Sequence, residues 1–77
     1  LLVNEEILNV IIEKMKNITH QDEVNKNSDF FLDLGGDSLS YYELVASIEG
    51  YFGVKFNLEE GLNRTPLQFM ATIMEKI

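Results

Sequence analysis

Two adjacent glycines in the middle of the chain, Gly35 and Gly36, constrain its fold more than any other sequence feature. Glycine adopts backbone angles that other residues avoid, so a glycine pair permits a sharp turn. The pair is followed by Asp37, a favourable helix N-cap, and by Ser38, where an apolar pattern of helical spacing begins. The segment therefore predicts a loop that ends in a serine hydroxyl at the first turn of a helix, facing solvent.

Length and composition limit the class of protein. The 77 residues are enough for one domain, which we expect to span residues 1–77, and 45% are apolar, enough for one core. The absence of any run of about 18 apolar residues predicts no membrane span. The absence of cysteine excludes disulfides, a thiol nucleophile and a cysteine-based zinc site. No signal segment is recognisable, so we expect a cytoplasmic protein, and we expect it to be a monomer.

Charge narrows the choice of partners. Thirteen acidic residues against six basic ones give a net charge of −7. This charge repels phosphate backbones, and we therefore expect no nucleic-acid partner. It favours association with basic surfaces, or it only keeps a small domain soluble.

The first and last helices are predicted from caps and periodicity. The first runs from about Asn4, the expected N-cap, to about Asn17. The last begins at Pro66, after Thr65 as N-cap, and continues to near the end of the chain. The expected buried stripe of the first helix is Ile7, Leu8, Ile11, Ile12, Met15 and Ile18. That of the last helix is Leu67, Met70, Ile73, Met74 and Ile77.

The second helix is predicted from Asp37 or Ser38 to Phe52, with Gly53 as its C-terminal stop. Gly50 within it has no evident role beyond a possible close approach of the backbone. One face is assigned to the core: Tyr41, Leu44, Val45, Ile48 and Phe52. A second apolar stripe remains: Leu39, Tyr42 and Ala46. We expect the second stripe to contact a partner; the alternative is that Leu39 and Tyr42 pack under the long loop.

The segment from Thr19 to Asp37 has no sustained period and forms a long loop between the first two helices. A short helical turn is expected to start at Ser28 or Asp29. The apolar residues that should attach the loop to the core are Val24, Phe30, Phe31, Leu32 and Leu34, with Phe30 or Phe31 as the buried anchor. One more short helix is predicted at residues 58–62. The fold expected is all-α, a small bundle of three longer helices and one short one.

Catalytic and metal sites are not predicted. Gly36-Asp37-Ser38-Leu39 spells the motif of a family of serine esterases, but the only histidine, His20, lies upstream in a polar loop. The family's downstream Asp-x-x-His is absent, and the chain is too short for that fold. Asp29, Asp33 and Asp37 do not match the spacing of a calcium loop.

The residues from Asp29 to Leu39 resemble the signature of acyl and peptidyl carrier proteins, an aromatic approach followed by Leu-Gly-Gly-Asp-Ser-Leu. Phe52-Gly53-Val54 is similar to the end of the family's second helix, and Thr65-Pro66 to the start of its last helix. The resemblance covers essentially the whole chain. It implies a four-helix carrier domain without catalytic activity of its own.

Site residues follow from this resemblance. Ser38 matches the serine that receives 4′-phosphopantetheine from coenzyme A through a phosphopantetheinyl transferase, and Asp37 matches the recognition acid beside it. The terminal thiol of the arm would hold an acyl or aminoacyl group as a thioester. The matching docking positions on the second helix are Leu39, Tyr42, Glu43 and Ala46.

The implied partners are the transferase, an acyl- or aminoacyl-loading enzyme, and synthase enzymes of fatty-acid, polyketide or nonribosomal peptide biosynthesis. Gly35-Gly36 resembles peptidyl carriers, whereas the charge of −7 resembles acyl carriers. Both cargo classes stay open at this point. The alternative function is an unmodified helical module that binds a partner through the second stripe.

Overall fold

The computed structural model describes residues 3–57 and 62–77, which contain three helices. Helix α1 is Asn4–Thr19, α2 is Ser38–Phe52 and α3 is Pro66–Lys76, and α1 packs against both others. The all-α prediction is confirmed over these ranges, which contain no strand. The predicted short helix at residues 58–62 lies, except for Leu62, outside the described residues, so the bundle is described by three helices.

The limits of α1 differ slightly from the prediction. Asn4 is the first helical residue rather than the N-cap; Val3 is the cap, and no side chain caps the end. The carbonyl of Val3 instead accepts the N–H groups of Glu6 and Ile7. The helix continues past Asn17 to Thr19 and ends where His20 adopts a left-handed conformation, with φ of 58°.

Helix α2 begins and ends as predicted. The carboxylate of Asp37 accepts the backbone N–H of Ser40, and the Ser40 hydroxyl accepts the backbone N–H of Asp37. This reciprocal pair is a capping box. At the other end Gly53 has a φ of 68° and donates its N–H to the carbonyl of Glu49. Of the predicted core face, Tyr41, Leu44 and Ile48 are buried, and Val45 and Phe52 are partly buried.

Helix α3 has the predicted start, with a capping box between Thr65 and Gln68 and Pro66 in its first turn. Its predicted buried face was wrong in part. Phe69, absent from the predicted stripe, is buried together with Ile73, and its ring contacts the rings of Tyr41 and Phe56. The predicted stripe residues with substantial exposure are Leu67, Met74 and Ile77.

The long loop is anchored by a short turn that begins at Asp29. The Asp29 carboxylate accepts the N–H groups of Phe31 and Leu32, and its carbonyl accepts those of Asp33 and Leu34. Phe30 is fully buried and is the anchor, while Phe31 is only partly buried. Leu32 was wrongly assigned to the core: it is 80% exposed because the turn directs it away from the helices.

Substitution of Gly50 by alanine should raise the free energy of unfolding by about 1 kcal/mol, because alanine is the better helix former. Apart from the backbone of its own helix, a Cβ at this position meets no atom of residues 3–57 and 62–77 within 4 Å, so the close approach considered from the sequence is not found there. Urea denaturation measures the change. Gly53→Ala is the control, which should destabilise by about 1–2 kcal/mol because φ is positive there. A loss of stability in Gly50→Ala would contradict the prediction.

Candidate functional site

Ser38 is the first residue of α2, and its side chain is exposed. The two residues that form the capping box, Asp37 and Ser40, lie on either side of it in sequence. Because they satisfy the end of the helix, the hydroxyl of Ser38 is not used as a cap. It makes no hydrogen bond with any residue in the described ranges. The fold therefore leaves this hydroxyl accessible to a reagent from solvent.

A negative charge lies beside the Ser38 hydroxyl. The pKa of Asp37 is lowered, first by the hydrogen bond from the backbone N–H of Ser40 and next by that from its hydroxyl. The Asp37 carboxylate is therefore ionised at neutral pH. The positive end of the α2 dipole attracts a phosphate attached at Ser38, whereas this carboxylate repels it. An attached phosphate would thus be held outward, away from the carboxylate.

The glycine pair is explained by the turn before α2. Gly35 has a φ of +72°, which glycine adopts without strain. Gly36 donates its N–H to the carbonyl of Phe30 at 2.9 Å. A Cβ on Gly36 would clash with Cε2 of the Phe30 ring, so no larger residue fits unless the ring moves. The buried anchor of the loop thus packs directly under the approach to Ser38.

A cavity of about 260 Å³ lies beside Ser38, between α2, the long loop and the start of α3. Its walls are mostly apolar. At one side the hydroxyl of Tyr41 donates to the carbonyl of Asn63 at 2.9 Å. The lining residues are Phe31, Ser38, Tyr41, Tyr42, Val45, Phe56, Asn57, Leu62, Asn63 and Phe69. The sequence did not predict this cavity, because its walls come from positions up to 38 residues apart (31 to 69).

The predicted docking residues all lie at the surface of α2. Leu39 is 73% exposed and Tyr42 is 66% exposed, and Glu43 and Ala46 are exposed as well. The alternative that Leu39 and Tyr42 pack under the long loop is therefore wrong. Tyr42 also lines the cavity, so the apolar stripe formed by Leu39, Tyr42 and Ala46, here called the docking stripe, adjoins it.

An ion pair joins the long loop to the segment before α3. Nε of Arg64 lies 2.8 Å from Oδ2 of Asp29, and one terminal nitrogen lies 3.2 Å from Oδ1. The hydrogen bond from Arg64, followed by that from the N–H of Leu32, lowers the pKa of Asp29 to about 2. The backbone makes a second link, since the N–H of Phe30 donates to the carbonyl of Arg64 at 2.8 Å.

This ion pair should make stability depend on pH in the acid range. Because the pKa of Asp29 is lowered from 3.8 to about 2 by folding, its contribution is complete above about pH 4 and is lost as pH falls through 2. Asp29→Asn should therefore be less stable than the wild type at pH 7, and the difference should shrink towards pH 2. Urea denaturation across this range measures it. A difference independent of pH would contradict the assignment, and Asp22→Asn, at an exposed position of the same loop, is the control.

The described residues give little support for an esterase site or a metal site. His20, the residue that an esterase would need as its base, is the exposed C-cap of α1. Residues 3–57 and 62–77 contain no group of three or more histidine or carboxylate side chains that could hold a metal ion. Within the same residues no helix has the length and apolar character needed to cross a membrane.

Comparisons with known proteins agree with this geometry. A family model described as a phosphopantetheine attachment site matches residues 5–73 of the chain. An acyl carrier protein of Solidesulfovibrio magneticus is 31% identical over 74 residues, which cover 96% of this chain and 92% of that protein. The prosthetic group that these matches indicate is covalently attached phosphopantetheine. The chain therefore belongs to the family of phosphopantetheine attachment domains, which includes the acyl carrier proteins.

Proposed function

We propose that Ser38 is the residue that carries the phosphopantetheine arm, and that residues 1–77 form a single carrier domain. The observation that carries the proposal is the free, exposed hydroxyl at the start of α2, beside a capping box that does not need it. No described group of this chain activates that hydroxyl, so the activating base belongs to the transferase. Asp37 is then the recognition acid, at the position next to the acceptor.

The chain is not itself an enzyme under this proposal. When bound, the arm supplies a terminal thiol that forms thioesters. The chain has no thiol of its own, because it contains no cysteine. The protein's own part is to present Ser38, to hold the arm at the start of α2 and to offer the docking stripe to partner enzymes. Those partners are the transferase, a loading enzyme and the synthase enzymes that use the cargo. A cytoplasmic location and a monomeric state stay predictions.

The cargo proposed is an acyl group of the fatty-acid or polyketide type rather than an aminoacyl group. The cavity beside Ser38 supports this, because it is apolar and its walls include the aromatic rings of Phe31, Tyr41 and Phe69. An alkyl chain gains free energy on leaving water for such walls, whereas a charged amino group loses it. The similarity to an acyl carrier protein points the same way. Mass spectrometry of the protein from its native host would identify the bound group.

Replacement of Ser38 by alanine should abolish modification. Apo-protein incubated with coenzyme A and a broad-specificity phosphopantetheinyl transferase should gain the mass of one phosphopantetheine, and Ser38→Ala should gain none. Ser40→Ala is the control, because it removes a different hydroxyl two residues from Ser38. This variant should still be modified, since the Ser40 hydroxyl only caps α2. No gain in the wild type, or a gain that persists in Ser38→Ala, would overturn the proposal and favour an unmodified interaction module.

A further inference from the structure

Three side chains form one connected group at the edge of the cavity: Asp29 and Phe31 from the long loop, and Arg64 from the segment before α3. Asp29 binds Arg64 through two hydrogen bonds, at 2.8 and 3.2 Å. The guanidinium carbon of Arg64 lies 4.9 Å from the centre of the Phe31 ring. The third link is in the backbone, where the N–H of Phe31 donates to Oδ1 of Asp29 at 2.9 Å. Asp29 therefore fixes both the backbone of Phe31 and the cation on its ring.

Phe31 is the member of this group that lines the cavity, and Asp29 and Arg64 are not among the lining residues. Its ring also stacks on that of Tyr41, with centroids 5.2 Å apart and an interplanar angle of 30°. Phe69, on another wall, is 1% exposed and belongs to the core. Phe31 differs because it is only partly buried and comes from the loop. A displacement of its ring would break its contacts with Phe30, Tyr41 and Arg64, and it would not itself separate any two helices.

We infer that Phe31 limits the length of the acyl chain that the cavity beside Ser38 admits, and that Asp29 and Arg64 are positioning residues that hold its ring in place. This inference rests on the proposed carrier function. An alkyl chain that enters gains from each methylene that leaves water until it reaches the ring. A longer chain must either remain partly in water or displace Phe31 from Tyr41 and Arg64. Arginine suits this role because its planar fork binds a carboxylate with two hydrogen bonds and also stacks on an aromatic ring.

The test uses protein that carries amide-linked acyl pantetheine, since amides resist hydrolysis, in a series from acetyl through butyryl, hexanoyl and octanoyl to decanoyl. The melting temperature of each acylated form is compared with that of the holo form of the same variant. In the wild type the increment should rise with chain length up to a limit. In Phe31→Ala that limit should move to longer chains, and Phe31→Leu serves if the alanine variant does not fold.

The positioning residues have their own tests. Arg64→Gln and Asp29→Asn should each move the limit to longer chains by less than Phe31→Ala does. The double variant should equal Arg64→Gln alone, because the side-chain oxygen of asparagine can still accept the N–H of Phe31 and only the pair with Arg64 is lost. Lys55→Gln removes an exposed positive charge, and Ile7→Ala removes a core side chain away from the cavity; neither should move the limit. General loss of stability lowers every melting temperature of a variant and leaves the limit unchanged.

A second readout shows where the chain lies. Acylation should shift the NMR signals of the Val45 methyl groups, which line the cavity, and leave those of Ile7 unchanged. An identical limit in the wild type and Phe31→Ala, or no increment at any chain length in modified protein, would overturn the inference and leave the carrier function intact. Absence of any modification at Ser38 would instead overturn the proposed function, and the inference with it.

Discussion

Replacement of Phe30 by alanine should lower the free energy of unfolding by about 3–5 kcal/mol. Phe30 is fully buried, and its ring packs on Gly36 and makes edge contacts with Phe31 and Tyr41. The substitution removes these contacts and leaves a cavity that the neighbouring side chains fill only in part. A domain of this size is stable by roughly 4–12 kcal/mol, so the loss is a large share of the total. Urea denaturation monitored by circular dichroism measures it.

Leu32→Ala is the control for this prediction, since it removes a side chain of similar chemistry from the same turn. Leu32 is 80% exposed, and its substitution should change the free energy of unfolding by less than about 0.5 kcal/mol. If Phe30→Ala does not fold, Phe30→Leu should still be less stable than the wild type, by roughly 1–3 kcal/mol, because a different shape must fill the site. Equal, small effects in the Phe30 and Leu32 variants would show that Phe30 does not anchor the loop.

The limits of α2 could be predicted because they depend on local sequence. Asp37 caps the helix through the N–H of a residue three positions later, and Gly53 ends it through its own positive φ. Both effects act within one turn, and the residue type alone indicates them. The same reasoning predicted the start of α3 at Thr65 and Pro66. It was wrong at Asn4, where the backbone of Val3 rather than a side chain forms the cap.

The buried face of α3 could not be predicted because most of that helix is apolar. Several stripes of helical spacing then fit its sequence equally well. The face is selected by Tyr41 and Phe56, whose rings contact Phe69 from other parts of the chain. The exposure of Leu32 in the loop could not be predicted for a similar reason. A run of apolar residues does not reveal which of them a turn directs outward.

The candidate site also combines features that could be predicted from the local sequence with features that could not. The exposure of Ser38 and of Leu39, Tyr42 and Ala46 on α2 follows from local helix geometry, and these side chains are exposed in the structure. Their roles in attachment and docking stay predictions. The cavity and the Asp29–Arg64 pair depend on tertiary packing, the latter across 35 residues. The role of Arg64 could not be predicted, because a single arginine before a helix has no distinctive sequence pattern. Its contact with Phe31 links the C-terminal part of the chain to the environment of Ser38.

Tyr42→Asp should lower kcat/KM for modification by the transferase roughly 30-fold, which corresponds to about 2 kcal/mol. Tyr42 is 66% exposed on α2, one turn after Ser38, and tyrosine is a residue type that often dominates the energy of an interface. A buried aspartate would also leave an unpaired charge against the partner. Leu39→Asp should act in the same direction, because Leu39 belongs to the same docking stripe and is 73% exposed. Initial rates at several concentrations of apo-protein give kcat/KM.

Tyr51→Asp provides a matched control on the same helix. Tyr51 is 59% exposed and lies nine residues after Tyr42, so at about 100° per residue it faces the opposite side of α2. The same change there should alter kcat/KM by less than about threefold, since that side does not adjoin Ser38. Thermal unfolding should show similar, small losses of stability in the two tyrosine variants. Equal losses of modification in both variants would mean that the effect is not specific to the docking stripe. A large loss of stability confined to Tyr42→Asp would mean that Tyr42 serves folding rather than docking.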